Sequence, residues 1–185
     1  MFIKAIEGFA PTCEQERMEK AVMLKFAREN RDTVLFRENQ IAHMTGSSMI
    51  FNTARTKVLM AHHNIYNSWA WTGGHADGEA DLLALALREA QEETGVKGVK
   101  VLCNEVASLD ILAVPAHFKR GAYVPPHLHL SLAYLFQADE NEETHLKADE
   151  NSAVAWLPIE SLEQHVTEEE MLPVYKKLIE KMRAL

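Results

Sequence analysis

The sequence predicts an α/β or α+β layered fold, and three observations carry that expectation. Leu128 to Phe136 alternates cleanly: Leu128, Leu130, Leu132, Tyr134 and Phe136 point one way, while His127, His129, Ser131 and Ala133 point the other, the period of a β-strand. Among the strand candidates lies a long helical stretch, Asp81 to Thr94, which stops at Gly95, a residue suited to the left-handed position after a helix. Ile159 to Val166 and Glu169 to Arg183 read as closing helices. Strands interleaved with helices bury their apolar sides by packing in layers.

The remaining elements follow in chain order. Residues 1–40 read as an N-terminal helical arm, with Thr12 expected to cap a helix from Cys13 towards Arg31. Met18, Val22 and Phe26 recur every fourth residue there, with Ala21 and Met23 beside them, and are expected to form its packing face. Residues 41–185 are read as the principal domain, with no internal repeat or linker. Within it, Ser48 to Phe51 and Lys57 to His62 are strand candidates joined by a polar turn, and Trp69 to Trp71 is another. Val99 to Val106 and Ser108 to Val114 follow as strands. Pro125-Pro126 marks the entry to the strand at Leu128, because proline cannot donate inside a sheet. Asp139 to Asn151 reads as an acidic loop, and Val154 to Leu157 as a short strand ended by Pro158.

Bulk properties narrow the function. With 185 residues, 47% apolar and 25% charged, the chain can bury a core without covalent staples. Two cysteines, Cys13 and Cys103, are too few for a disulfide framework, which suggests a reducing compartment. No run approaches the ~20 apolar residues of a membrane span, and Met1 to Lys4 begins no signal peptide, so a cytoplasmic protein without a membrane partner is expected. The net charge of −8, without a basic stripe, argues against a nucleic-acid polymer as partner. It favours phosphate binding through bridging cations over binding through Lys and Arg. A homodimer, the commonest closed assembly, is kept as an open expectation.

The informative segment is Gly73-Gly74-His75-Ala76-Asp77-Gly78 and the helix after it. Leu82, Leu83, Ala86, Leu87, Ala90 and Thr94 share one helical face, and Glu89, Glu92 and Glu93, at i, i+3 and i+4, share the adjacent one. Carboxylates so spaced repel by a few tenths of a kcal/mol per pair, and the last turn's dipole disfavours them further. Helix stability alone would not choose this arrangement. A hard divalent cation such as Mg²⁺ or Mn²⁺ reverses the balance, because it prefers carboxylate oxygens and keeps positions for substrate phosphate.

Gly74, Arg88, Glu89, Ala90, Glu92, Glu93, Gly95 and Val96 fall on the pattern G-x5-E-x7-R-E-U-x-E-E-x-G-U, U being aliphatic, and the segment thereby resembles the Nudix box. At about 6% usage per residue type, six fixed matches in one register arise by chance roughly once in ten million. One position departs: the pattern's first glutamate falls on Ala80, flanked by Glu79 and Asp81, either of which can serve the helix start. The Gly-Gly-His-Ala-Asp-Gly run also looks like a bacterial subgroup of the family.

The resemblance implies a Nudix fold, a mixed β-sheet sandwiched between helices, and a pyrophosphohydrolase acting on a small nucleotide or diphosphate substrate. It implies Glu92 and Glu93 as ligands of Mg²⁺ or Mn²⁺, the Gly73 carbonyl as a further ligand, Glu89 as ligand or general base, and Arg88 as the residue orienting a glutamate. His127 and His129, two apart on one strand face, are candidates for a phosphate contact, a proton relay or a softer metal site, against plain surface imidazoles. His75 and Trp71 are candidate substrate contacts, Trp71 by stacking on a base. His117 to His129 and the N-terminal arm are the expected specificity segments. Glu140, Glu142 and Glu143 are weaker candidates for an extra ligand. The alternatives are a non-catalytic nucleotide-metabolite sensor and a related isomerase of isoprenoid diphosphates, which would call for a suitably placed cysteine.

Overall fold

The structure is a computed structural model describing residues 1–64, 67–119, 121–147 and 151–185. In chain order it comprises α1 (Phe2–Gly8), α2 (Glu14–Glu29), β1 (Ala42–Asn52), β2 (Lys57–His63), β3 (Ser68–Ala70), β4 (Thr72–His75) and α3 (Leu82–Thr94). There follow β5 (Lys100–Val101), β6 (Ser108–Val114), β7 (His117–Lys119), β8 (Ala122–Val124), β9 (His127–Ala138) and β10 (Asn151–Pro158). Two 3₁₀ turns, Ile159–Gln164 and Glu169–Met171, lead into α4 (Leu172–Arg183).

β1 is the spine of a mixed sheet ordered β10-β2-β1-β9-β5. It pairs in parallel with β9 along its whole length, from Ala42 beside Leu128 to Asn52 beside Ala138. The second half of β1 pairs antiparallel with β2, through Ile50–Leu59 and Phe51–Val58. Its first half pairs antiparallel with β4, through Thr45–His75 to Ser48–Thr72. β6 lies antiparallel on β9, and β7 and β8 form a separate hairpin.

The alternation read in the sequence sorts side chains between the two faces. Leu130, Leu132, Tyr134 and Phe136 of β9 join Met44 and Ile50 of β1 beneath α3, whose Leu82, Leu85, Ala86 and Ala90 are buried there. The arm closes over the same core with Phe2, Ile6, Met23 and Ala27. On the opposite face, Met49, Phe51, Met60, Ala133 and Leu135 meet Tyr175, Leu178 and Met182 of α4. Helices therefore cover both sides of the mixed sheet, as the fold-class expectation required. No helix among the described residues is long and apolar enough to cross a membrane.

Several local expectations are corrected. Thr12 does not cap α2: Cys13 occupies the N-cap, and the Thr12 amide and hydroxyl donate to Glu16 at 2.8 and 3.0 Å. Met18 and Val22 are 58% and 55% exposed, whereas Glu16, Met23 and Ala27 form the buried stripe. That stripe includes a charged residue whose bases come from distant helix α4. Val99 to Val106 is not one strand, because only Lys100–Val101 pairs with β9. Val101 and Ser108 lie seven positions apart while their β9 partners, Phe136 and Ala133, lie three apart, so the excess chain arches off the sheet. Ile159 to Gln164 winds as a short 3₁₀ turn, and the final α-helix begins only at Leu172, where a proline sits in its first turn. The predicted loop from Asp139 loses Asn151 to β10, and its residues 148–150 lie outside the described residues. The specificity segment from His117 to His129 contains the β7–β8 hairpin, with Arg120 outside the described residues.

Candidate active site

The helix bearing the glutamates is fixed at both ends by its own sequence. Asp81 is the N-cap, its carboxylate accepting from the Ala84 amide at 3.1 Å, and Glu79 accepts from the Asp81 amide at 2.9 Å. The two acids flanking Ala80 thus secure the helix start. At the far end Gly95 adopts φ 75°, and its amide donates to the Gln91 carbonyl. Glu142 braces the following turn by accepting from the Lys97 and Gly98 amides at 2.6 and 3.1 Å. Glu140 pairs with Lys57, and Glu143 lies 3.9 Å from His145.

The glutamates differ in placement. Glu93 is 6% exposed; it accepts from the Gly73 amide at 2.9 Å and from the Asn151 side-chain amide at 3.4 Å. This is possible because, among the described residues, β4 has a strand partner, β1, on one side only, leaving Gly73 open towards α3. Glu89 packs against Gly74: a β-carbon there would lie 2.6 Å from the Glu89 carboxyl carbon. Glu89 and Glu93 both line the cleft, whereas Glu92 is half-exposed outside its lining, 4.0 Å from Arg88 in a loose ion pair. Gly74→Ala should therefore push the Glu89 carboxylate aside, since a side-chain end yields more easily than backbone. Turnover is expected to fall about 100-fold, the scale of an ångström's misplacement, with little change in melting temperature. Steady-state kinetics and thermal melting check this, and undiminished turnover would remove Glu89 from the site.

The other wall is histidine-rich. His43 on β1 is the register partner of His129 on β9, and Thr45, two residues on, faces His75 on β4. Residues directly opposite, or two apart, share a sheet face, so His43, His75, His127 and His129 converge. The His43 ring lies 4.9 to 5.2 Å from the other three rings, centroid to centroid. The His43 and His127 Nδ1 atoms bond the Asn39 and Pro125 carbonyls at 3.0 and 2.9 Å. His127 Nε2 lies 3.3 Å from His129 Nε2. Burial, then the neighbouring imidazoles, push the His129 pKa down to about 2. Burial also lowers that of His43, against the Asn39 hydrogen bond. Both rings are thus neutral at physiological pH.

Glutamates and histidines border one cleft of about 810 Å³. Trp71 stands in its wall, edge-on to Tyr175 at 5.6 Å, and the Trp71 amide donates to the Tyr175 hydroxyl at 3.3 Å. Glu168 also lines it, its pKa raised by burial and by Glu170. At the rim Arg37 forms a forked ion pair with Asp77. Of the residues singled out in the sequence, Gly73, His75, Trp71, Glu89, Glu93, His127 and His129 reach this cleft. Arg88 and Glu92 do not line it. His43, Asn151, Glu168 and Tyr175 were not foreseen. The run His43-Met44-Thr45-Gly46-Ser47 carried the signal for His43, alternating polar residues one strand-period apart, once β1 is seen to begin at Ala42 rather than Ser48.

A mixed sheet covered by helices on both faces, with an acidic loop–helix beside β4, defines a layered α+β class of protein. The NUDIX domain family matches residues 43–181, most of the chain, and the protein belongs to that family of pyrophosphohydrolases. Solved structures agree on the fold. A C. elegans Ap4A hydrolase binary complex has TM-score 0.57 at 16% identity, covering 77% of this chain and 98% of its own. The NUDIX domain of Shewanella oneidensis NrtR complexed with ADP ribose has TM-score 0.54 at 18% identity, covering 85% and 97%. A NUDIX-family hydrolase from Clostridium perfringens has TM-score 0.53 at 23% identity, covering 76% and 97%. No curated protein matches the sequence.

Proposed function

We propose that the chain hydrolyses the pyrophosphate bond of a nucleoside diphosphate derivative, using Mg²⁺ or Mn²⁺ held by Glu89, Glu92, Glu93 and the Gly73 carbonyl. The observation that carries this reading is Glu93, a buried carboxylate tied to the Gly73 amide inside an open cleft that Glu89 also lines. Burying a carboxylate is costly unless its charge is compensated, and hard oxygen donors suit these two ions. Glu89 and Glu93 therefore fit as donors from the cleft wall, whereas Glu92, outside the lining, would have to turn towards them to join. When bound, the metal neutralises phosphate charge and lowers the pKa of a coordinated water.

The chain's own residues supply position and proton transfer. Gly73 and Asn151 hold Glu93 in one orientation, so the ligand is set before substrate arrives. Glu89, packed on Gly74 at the cleft wall, accepts the proton of the attacking water. Arg88, 4.0 Å from Glu92, orients it. His75, His127 and His129, in the cleft wall, are assigned to the phosphates or what they carry, and Trp71 to stacking on a base.

The test is product release from a panel of nucleotide derivatives, each with and without Mg²⁺ or Mn²⁺. ADP ribose and Ap4A belong in it first, since one similar structure is complexed with ADP ribose and another is an Ap4A hydrolase. Release that requires metal is the expected result. Binding without turnover across the panel would replace hydrolysis by a sensing role.

A further inference from the structure

We propose that the histidine wall of the cleft is a second metal site, separate from the carboxylates, that binds a borderline transition metal of the Zn²⁺ class through His43, His75 and His129. Among the described residues, these three are the one group of His, Cys, Asp or Glu whose ligand atoms all lie within 4.8 Å of one another. They stand on three adjacent strands, β4, β1 and β9. Sheet pairing therefore fixes their spacing, and side-chain rotation alone draws the nitrogens closer.

The second observation is independent of that spacing. His43 is 3% exposed, and its Nε2 is buried without a hydrogen-bond partner. A buried polar atom left unpaired costs about 1–3 kcal/mol, so such atoms call for an explanation. The rest of the ring supplies one. A carbonyl oxygen only accepts, so the bond to Asn39 places the proton on Nδ1 and leaves a lone pair on Nε2. A carbonyl behind one nitrogen and a bare lone pair in front is how a protein prepares a histidine ligand. His127 repeats the device against the Pro125 carbonyl.

Geometry favours a small tetrahedral ion. With Zn–N bonds of about 2.0–2.1 Å, two imidazoles on a tetrahedral zinc have nitrogens about 3.3 Å apart. The Nε2 atoms of His127 and His129 are separated by 3.3 Å. His127 lies outside the group of three but beside His129, where it would join the set on side-chain rotation or leave the fourth position to water or a phosphate oxygen from the cleft. Nitrogen donors select Zn²⁺, Co²⁺, Ni²⁺ or Cu²⁺ over Mg²⁺, so the two walls would sort cations by donor type. Metal binding here requires no turnover, and the site stands or falls apart from the hydrolase reading.

The experiment uses the full, untagged chain stripped of metal. Calorimetric titration with Zn²⁺ should give one equivalent of tight binding that excess Mg²⁺ does not displace. Co²⁺ should give the intense visible bands of four-coordinate nitrogen ligation. His75→Ala and His129→Asn should each weaken Zn²⁺ binding at least about 100-fold and abolish the Co²⁺ bands, while Glu93→Gln should leave both intact. If His129→Asn fails to fold, His75→Ala, at a partly exposed position, decides. Absence of Zn²⁺ uptake, or uptake lost with Glu93→Gln and kept in His75→Ala, overturns the proposal.

Discussion

Glu93→Gln should lower metal-dependent turnover by roughly 10²- to 10⁴-fold while leaving the fold intact. A ligand carboxylate contributes several kcal/mol of charge stabilisation at the phosphorus centre, and each 1.36 kcal/mol is tenfold in rate. The glutamine keeps an oxygen for the Gly73 amide, whose bond to Glu93 is 2.9 Å. Its new NH₂ would face the Asn151 amide, donor against donor. Asn151 resolves the clash by turning over, because its Oδ1 is buried with no partner and can then accept. Turnover measured across Mn²⁺ concentrations, with thermal melting alongside, separates the two effects. Wild-type turnover in a folded Glu93→Gln protein would show that the carboxylate holds no metal.

The largest effect on stability should come from a residue far from the cleft. Glu16, fully buried on α2, sits 2.5 Å from Lys181 and 3.3 Å from Lys177 of α4. Lys177 also pairs with Asp110 of β6 at 2.6 Å, and Lys181 donates to the Ala107 carbonyl at 2.7 Å. Removing one partner of a buried pair costs about 3–5 kcal/mol, because the other charge is stranded. Glu16→Ala is therefore expected to lower the melting temperature by roughly 10 °C or more, at about 2–4 °C per kcal/mol for a domain this size. Glu16→Leu combined with Lys181→Met should recover much of the loss, since apolar replacement of a whole pair is often neutral. Single and double variants that melt alike would refute the coupling.

The same cluster sets an acid limit. Burial opposes ionisation of Glu16, but Lys181, the Thr12 amide and the charge of Lys177 outweigh it, holding the pKa below its ordinary 4.5. The unfolded chain then binds the proton first as pH falls. Glu16's contribution is complete above 4.5 and is lost as pH falls from there through the depressed value.

Local pattern carried much of this molecule. The period-two alternation of β9 and the cap residues around α3 depend on near neighbours, so the strand's two faces and both helix ends were readable. The glutamates of α3 were readable for the same reason. His43 was not, because its importance comes from the parallel register that sets it beside His129, some 86 positions away. The buried stripe of α2 was misread because Glu16 looks solvent-loving until its lysines are known. The arch between β5 and β6 escaped too, since no local rule told that its Val106 would miss the sheet. What stayed hidden is long-range pairing, in the cleft and in the clasp between α2 and α4.

That clasp bears on the order of assembly. Glu16 precedes Lys181 by 165 positions, and a ribosome makes the acid first. The nascent arm must wait, its carboxylate hydrated, while the whole sheet is synthesised between the two partners. Drying out this charge is therefore a late event in folding, one that a truncated product lacking α4 cannot reach.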